Sequence, residues 1–209
     1  MYAVCGTRLD LCVSVSFLSR YQHCASHMLY KALKRVLRYI KGTLNLALVY
    51  TGDNVSVHGF VDADWAGDTT DRKSTSGYVF KMFNCVVTWH CRKQPSVSLS
   101  STESEYIALS LAVSEACWLK NILSDFNINN EVIDIFEDNQ SVIKLCYNND
   151  SNKRIKHINI RYHFIIDKIN NNCISIKYIS TSENVADILT KPLGKNLFGK
   201  FRDLLLVSQ

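Results

Sequence analysis

Three short β-rich runs, a long helical stretch and two further strands follow one another from Val55 onward, and that order most restricts the possible folds. The first runs are VSVHGFV (55–61), SGYVFKMF (76–83) and VVTWHC (86–91), with only Asn84 and Cys85 between the last two. A gap that short closes a hairpin, so the triplet predicts an antiparallel meander. A helical pattern from about Thr102 to Phe126 comes next, followed by the strand VIDIFE (132–137) and a helix from about Gln140 to Tyr147. A helical segment from about Ile155 to Asn170 and the strand ISIKYI (174–179) complete the series. Strand–helix–strand crossovers after a hairpin triplet make a mixed sheet with helices on its faces, an α/β fold. The tail SENVADILTKPLGKNLFGKFRDLLL reads as a helix stopped near Pro192 and a second, amphipathic one behind it.

A different pattern precedes the first strand. From Ser26 to Lys41, Leu29, Ala32, Leu33, Val36, Leu37 and Ile40 fall on one helical face, with Lys31, Lys34, Arg35, Arg38 and Lys41 opposite and Gly42 as the stop. The clearest boundary is TGDN, Thr51 to Asn54. It separates residues 1–50 from a mixed-sheet domain over 55–193, which the C-terminal helix over 194–209 follows.

With 209 residues, 47% apolar and 21% charged, the chain can bury a core and is not a disordered polymer. A net charge of +5 permits a polyanionic partner without requiring one. Eight cysteines form no CxxC and mostly sit in apolar runs, which favours buried thiols over zinc ligands or disulfides. The apolar run Leu11 to Leu18 is too short to span a bilayer and no cleavage site follows it. The expected setting is therefore intracellular, cytoplasmic or nuclear rather than secreted, with no membrane partner and idle sequons at Asn54 and Asn149.

Ligands of open α/β sheets sit at the carboxyl ends of strands, and acidic residues fall there. Asp62 ends the first strand, Asp138 ends the fourth, Glu103 or Glu105 opens the long helix, and Asp187 lies in the first turn of the penultimate helix. Singly, each has an ordinary role: acids near helix N-termini favour the dipole, and Asp at strand ends favours turns. Together they could converge, and clustered carboxylates repel unless a hard cation such as Mg²⁺ or Mn²⁺ holds them. Helical periodicity separates the two glutamates. Glu105 lines up with Ala108, Leu109, Ala112 and Ala116, a stripe suited to close packing on a sheet. Glu103 lies about 200° away on the mixed stripe of Tyr106, Ile107, Ser110 and Ser114, a capping or surface position behind Ser100 or Ser101. Asp62 and Asp64 are two apart and would share a strand face, so periodicity does not choose between them.

Six segments, KRVLRYIKGT, GFVDADWAGDTTDRKSTSGYVF, SSTESEYIALS, IFEDNQSVI, KHINIRYHF and ENVADILTKPL, resemble in order and spacing the ribonuclease H domain at the C-terminus of a copia-type retrotransposon Pol polyprotein. The resemblance implies a ribonuclease H-like mixed five-stranded sheet with flanking helices. Over 1–50 it implies a helical remnant of the reverse-transcriptase thumb and connection. It picks Asp62 over Asp64 and assigns Asp62, Glu105, Asp138 and Asp187 to two Mg²⁺ ions, for which Mn²⁺ would substitute. Asp62 would bridge both ions as the RNA strand of an RNA/DNA hybrid is cut. Asp187 would sit with the ion that activates water, and Glu105 and Asp138 with the ion facing the leaving 3′-oxygen. Selectivity for RNA would come from 2′-hydroxyl contacts in the minor groove. Implied substrate contacts are Arg72, Lys73, Ser101, Asn139 and Gln140, with Arg154, Lys156, His157 and Arg161 in the patch KRIKHINIRYH. That patch fits phosphate contacts and fits a merely solvated basic helix equally well.

The chain departs from the family in three places. TRPD reads TRLD here (Thr7 to Asp10), and no two aspartates are adjacent, so the polymerase's catalytic motif is absent and the remainder of the Pol polyprotein becomes an expected partner. YISTSENVAD lacks the product-release histidine of cellular ribonucleases H, leaving His157 and His163 as nearby candidates. Trp65, Trp89 and Trp118 read as core or rim. The expected function is an RNA/DNA-hybrid ribonuclease without polymerase activity, and the competing reading is a catalytically silent nucleic-acid-binding remnant.

Overall fold

The computed structural model describes residues 1–24, 26–52, 56–128, 132–147 and 159–208. Its first fifty residues form α1 (Tyr2–Gly6), α2 (Cys12–Ser19), α3 (His27–Lys41) and the two-residue β1 (Leu46–Ala47). The hairpin triplet follows as β2 (His58–Asp64), β3 (Thr75–Met82) and β4 (Cys85–Lys93), and then α4 (Ser101–Asp125). The crossover part comprises β5 (Ile133–Glu137), α5 (Gln140–Tyr147), α6 (Asn159–Asn170) and β6 (Ile174–Tyr178). The one-turn α7 (Asp187–Thr190), α8 (Lys195–Leu205) and β7 (Val207–Ser208) close the chain.

The main sheet runs β4–β3–β2–β5–β6, antiparallel across the first three strands and parallel across the last three. This is the mixed five-stranded sheet that the element order requires. Two elements differ from expectation. β2 stays paired with β3 as far as Asp64 opposite Thr75, so Asp62 lies inside the strand, opposite Gly77, rather than at its end. α7 is shorter than the predicted helix, because Asn184 holds the preceding residues as a loop. Its buried Nδ2 donates to the Val61 carbonyl at 2.8 Å and its Oδ1 accepts from the Ala186 N–H at 3.2 Å.

Alternation along the strands divides the core in two. Val61 and Ala63 of β2 and Ile133 and Ile135 of β5 pack under α4 against Ala108, Leu109, Ala112 and Ala116, the small-residue stripe that lets the helix lie close. The opposite face, with Phe60, Val79 and Val86, meets Leu9 and Leu11 from the first fifty residues, Leu189 of α7 and Phe201 of α8. The N-terminal segment thus shares this second core with the C-terminal helices. It is also fastened by β1, which pairs antiparallel with β7, and it is held together internally by Arg8, which donates to both oxygens of buried Asp10 at 3.0 and 2.8 Å, while Tyr39 donates to Asp10 at 2.7 Å.

Ser26 caps α3 by accepting from the Leu29 N–H. The apolar face of that helix is covered at Val36 and Ile40 but open at Leu33 and Leu37, which are 45% and 57% exposed. α4 is long and apolar enough by composition to cross a membrane, yet half of its most apolar stretch is buried and it packs as the core helix of the sheet.

Gly77 sets how near α7 comes. A Cβ there would lie 2.6 Å from Thr190 Cγ2 and 2.9 Å from Leu189 Cβ. Gly77→Ala is expected to cost about 1–3 kcal/mol in urea unfolding, because the α7 turn must shift to relieve the overlap.

Candidate active site

Four elements deliver five carboxylates to the sheet edge at the ends of β2 and β5. On β5, Ile133, Ile135 and Glu137 are buried in alternation and share the α4 face, so Glu137 points toward Glu105. Asp62 shares its strand face with Phe60, on the α7 side, where Asp187 opens α7. Asp138 lies just beyond β5 and reaches both groups. One oxygen each of Asp62, Asp138 and Asp187 lie within 4.8 Å of one another, and so do oxygens of Glu105, Glu137 and Asp138. The four acids singled out in the sequence are thus brought together, with Glu137 as a fifth. Asp138 is the carboxylate common to both groups, the place the resemblance assigns to Asp62.

Each acid is held by neighbours that fix its direction. The Thr190 hydroxyl donates to Asp62 Oδ2, and Lys191 Nζ lies 2.9 Å from Asp187 Oδ1 and 3.4 Å from Asp62 Oδ1. Glu105 depends on the start of α4, which buried Gln94 ties to the sheet. Its Nε2 donates to the Ser76 hydroxyl and to the Ser104 carbonyl, each at 2.9 Å, while Ser98 donates to its Oε1 at 2.8 Å. Ser100 caps α4 by accepting from the Glu103 N–H at 3.1 Å, and Glu103 Oε2 accepts from the Leu99 N–H at 2.6 Å. Glu103 is therefore a buried capping residue rather than a surface one.

Burial and mutual repulsion raise Glu105, Glu137, Asp138 and Asp187. Burial, reinforced by the Asp62 charge and opposed by Lys191, pushes Asp187 up to about 7. Burial likewise lifts Asp138, with Asp62 adding and a Thr181 hydrogen bond opposing. Glu105 and Glu137 stand well above the usual range, chiefly through burial, with Glu137 the largest charge acting on Glu105. Burial works against the Lys191 ammonium, yet Asp62 and Asp187 outweigh it and hold Lys191 charged. Asp64, half-buried beside Asp62, is also raised, first by burial; its carboxylate turns back against Gly67, where a Cβ would meet it at 1.8 Å.

These residues fit a divalent cation. The donor set is all carboxylate oxygen, the preference of Mg²⁺ and Mn²⁺. Glu105 Oε2 and Glu137 Oε2 are buried without a hydrogen-bond partner among the described residues, a deficit that a cation would relieve.

The remaining expected contacts fall at the starts of α4 and α5, in the loop between β2 and β3 and on α6, or outside the described residues. Exposed Ser101 begins α4, exposed Gln140 begins α5, and Asn139 Oδ1 caps α5 by accepting from the Ser141 and Val142 N–H groups at 3.0 and 3.3 Å. Arg72 and Lys73 lie in the loop between β2 and β3, Arg72 with a positive φ of 57°. Arg161 on α6 donates to Ser110 of α4 at 3.5 Å, and His163 is exposed. Arg154, Lys156 and His157 lie outside the described residues. Sequence reasoning missed Glu137, Gln94, Asn184 and Lys191. Only Lys191 left a signal, four residues after Asp187 on a helical pattern.

No protein-family model matches the chain. The sheet order and helix placement are those of the ribonuclease H fold: a solved ribonuclease H isolated from compost by a metagenomic approach matches with a TM-score of 0.51 at 13% identity, covering 69% of this chain and 96% of that one. By sequence, the chain is 36% identical over 205 residues to the retrovirus-related Pol polyprotein from transposon TNT 1-94 of Nicotiana tabacum, covering 98% of this chain and 15% of the polyprotein. It is 48% identical over 122 residues to secreted RxLR effector protein 161 of Plasmopara viticola, covering 57% of this chain and 84% of that one. Its homologues over nearly the whole chain are copia-type retrotransposon Pol polyproteins, of whose length the chain spans about 15%.

Two outcomes separate the roles of these acids. Glu103→Ala is expected to cost about 1 kcal/mol of stability in urea unfolding, as a lost cap, while divalent-cation binding measured by calorimetry stays at the wild-type value. In chelator, Asp187→Asn should gain stability relative to wild type as pH rises from about 5 to about 8. The folded-state value of Asp187 is raised, so its favourable contribution is present at low pH and lost as pH climbs through about 7, as paired thermal melts would show.

Proposed function

We propose that this chain is a metal-dependent ribonuclease that cuts the RNA strand of an RNA/DNA hybrid for a copia-type retrotransposon. The observation that carries the reading is the pair of three-carboxylate groups meeting at Asp138 on the edge of a ribonuclease H sheet. The solved compost enzyme bears a ribonuclease H name, and Pol polyprotein kinship supports a nuclease belonging to a larger reverse-transcribing assembly.

Asp62, Asp138 and Asp187 would hold one ion, and Glu105 and Asp138 a second. Bound Mg²⁺ or Mn²⁺ would supply Lewis-acid charge that lowers the pKa of a water and offsets charge on the leaving oxygen. The chain's own residues arrange the rest. Thr190 and Lys191 orient Asp62, Lys191 holds Asp187 in place, and Gln94 and the Ser100 cap fix the helix that carries Glu105. In the net reaction the water oxygen bonds to phosphorus and the phosphorus–O3′ bond breaks, leaving a 3′-hydroxyl and a 5′-phosphate. Arg72, Lys73, Ser101, Asn139, Gln140 and Arg161 are candidate contacts to the hybrid, as are Arg154, Lys156 and His157 by sequence. The eight cysteines are all free thiols, which fits a reducing intracellular setting.

The test is cleavage of an end-labelled RNA strand in an RNA/DNA hybrid, with Mg²⁺ or Mn²⁺ and with chelator. Metal-dependent cutting by wild type, reduced at least about 100-fold in Asp138→Asn, is the expected result. A folded wild type that binds hybrid without cutting would instead establish a catalytically silent nucleic-acid-binding remnant.

A further inference from the structure

Glu137 is an acid for which the ribonuclease reading has no use, and its surroundings demand one. It is the last residue of β5 and fully buried. One oxygen is engaged, Oε1 accepting from the Asn139 N–H at 2.9 Å. Oε2 is buried with no hydrogen-bond partner among the described residues, in a protein interior where such atoms are nearly always satisfied. Strand alternation aims the side chain at α4, where an oxygen of Glu137 lies within 4.8 Å of oxygens of Glu105 and Asp138. The Glu105 Oε2 atom is equally unpartnered.

The two carboxylate groups differ in what already balances them. In the outer group, Lys191 pairs with both Asp62 and Asp187. In the inner group, Glu105 and Glu137 have no ion pair to a lysine or arginine among the described residues. Two buried carboxylates with unpartnered oxygens, joined by half-buried Asp138 and lacking an ion pair to a lysine or arginine among the described residues, make a set of oxygen donors whose charge is unbalanced, whereas the outer group carries its own ammonium.

We propose that Glu137 is a direct ligand of a divalent cation held by Glu105, Glu137 and Asp138, and that this inner position binds its ion more tightly than the outer one. The inference rests on the ribonuclease reading in one respect: it assigns Glu105 and Asp138 to metal and adds a third carboxylate to their ion. Glu137 is then a ligand in its own right, and its contact to Asn139 serves to aim it.

The test needs no substrate. The full chain, with folding checked by circular dichroism, is titrated with Mn²⁺ alone; the electron paramagnetic resonance signal of free Mn²⁺ counts bound ions and calorimetry measures affinity. Wild type is expected to show two classes of site. Glu137→Gln, close in shape but neutral, should weaken the tighter class at least about tenfold and leave the weaker class in place. Asp187→Asn should do the reverse. Glu137→Asp retains the charge but withdraws the oxygens by one methylene, and should keep the count of ions while weakening the tighter class.

Unchanged tight binding in folded Glu137→Gln would overturn the inference while leaving the ribonuclease reading intact. If Glu137→Gln does not fold, Glu137→Asp decides, since tight binding at the wild-type level there overturns the inference too. A wild type that binds no Mn²⁺ by either method would sink the metal-centre reading and the inference with it.

Discussion

Asp62, Glu105, Glu137, Asp138 and Asp187 crowd five acidic groups onto one sheet edge, four of them fully or almost fully buried. Coulomb's law penalises that placement at every pair. Two full charges at the separation found within each group, up to 4.8 Å, repel by about 3 kcal/mol at an effective dielectric constant near 20. Set against a net folding stability of about 5–15 kcal/mol, several such pairs would undo the fold if all were ionised and unbalanced. The raised carboxyl groups and the Lys191 ammonium are two responses to that repulsion, and the unpartnered oxygens of Glu105 and Glu137 mark where it is least balanced. Much of the surrounding architecture restrains these side chains: the absent side chain of Gly77, the Gln94 bridge and the Asn184 anchor each hold in place a segment that carries an acid.

The division of the acids between the two sheet faces explains why Asp138 is central. Residues inside a strand commit to one face, so Glu137 belongs to the α4 side and Asp62 to the α7 side. A residue one step past the last strand pairing is released from that alternation. Asp138 occupies that step, at the edge where both faces are within reach. The geometry therefore places the shared carboxylate at the strand end, whereas family resemblance assigns that place to Asp62.

Most of the fold was legible in the sequence because the hydrophobic period changes so clearly from two to 3.6 and back. The stripe behind Glu105 identifies its direction from the sequence alone, since small residues at helical spacing have one good use, close packing on a sheet. Asp62 was harder. The β-rich run VSVHGFV stops one residue short of it, whereas pairing with β3 carries the strand on through two aspartates and an alanine that have little strand preference of their own. Tertiary pairing overrode local propensity there. Glu137 was hidden for the opposite reason: at the end of VIDIFE it sits where an acid would normally meet solvent, and only the approach of α4 buries it. Gln94 and Asn184 bond across distant parts of the chain, and such long-range polar contacts leave no periodic trace.

The pairing of β1 with β7, together with the second core, gives the chain's two ends a common fate. Leu9 and Leu11 from the beginning and Phe201 and Leu205 from the end cover the same side of the sheet, and neither set can leave without uncovering the other. A molecule wired in this way has few ways to loosen by parts: release of either segment reaches Val79 and Val86, and through Leu189 the turn that holds Asp187. The acidic edge is thus coupled to the cooperativity of the whole chain, and local opening near residue 46 or residue 207 becomes an opening of the carboxylate cluster as well.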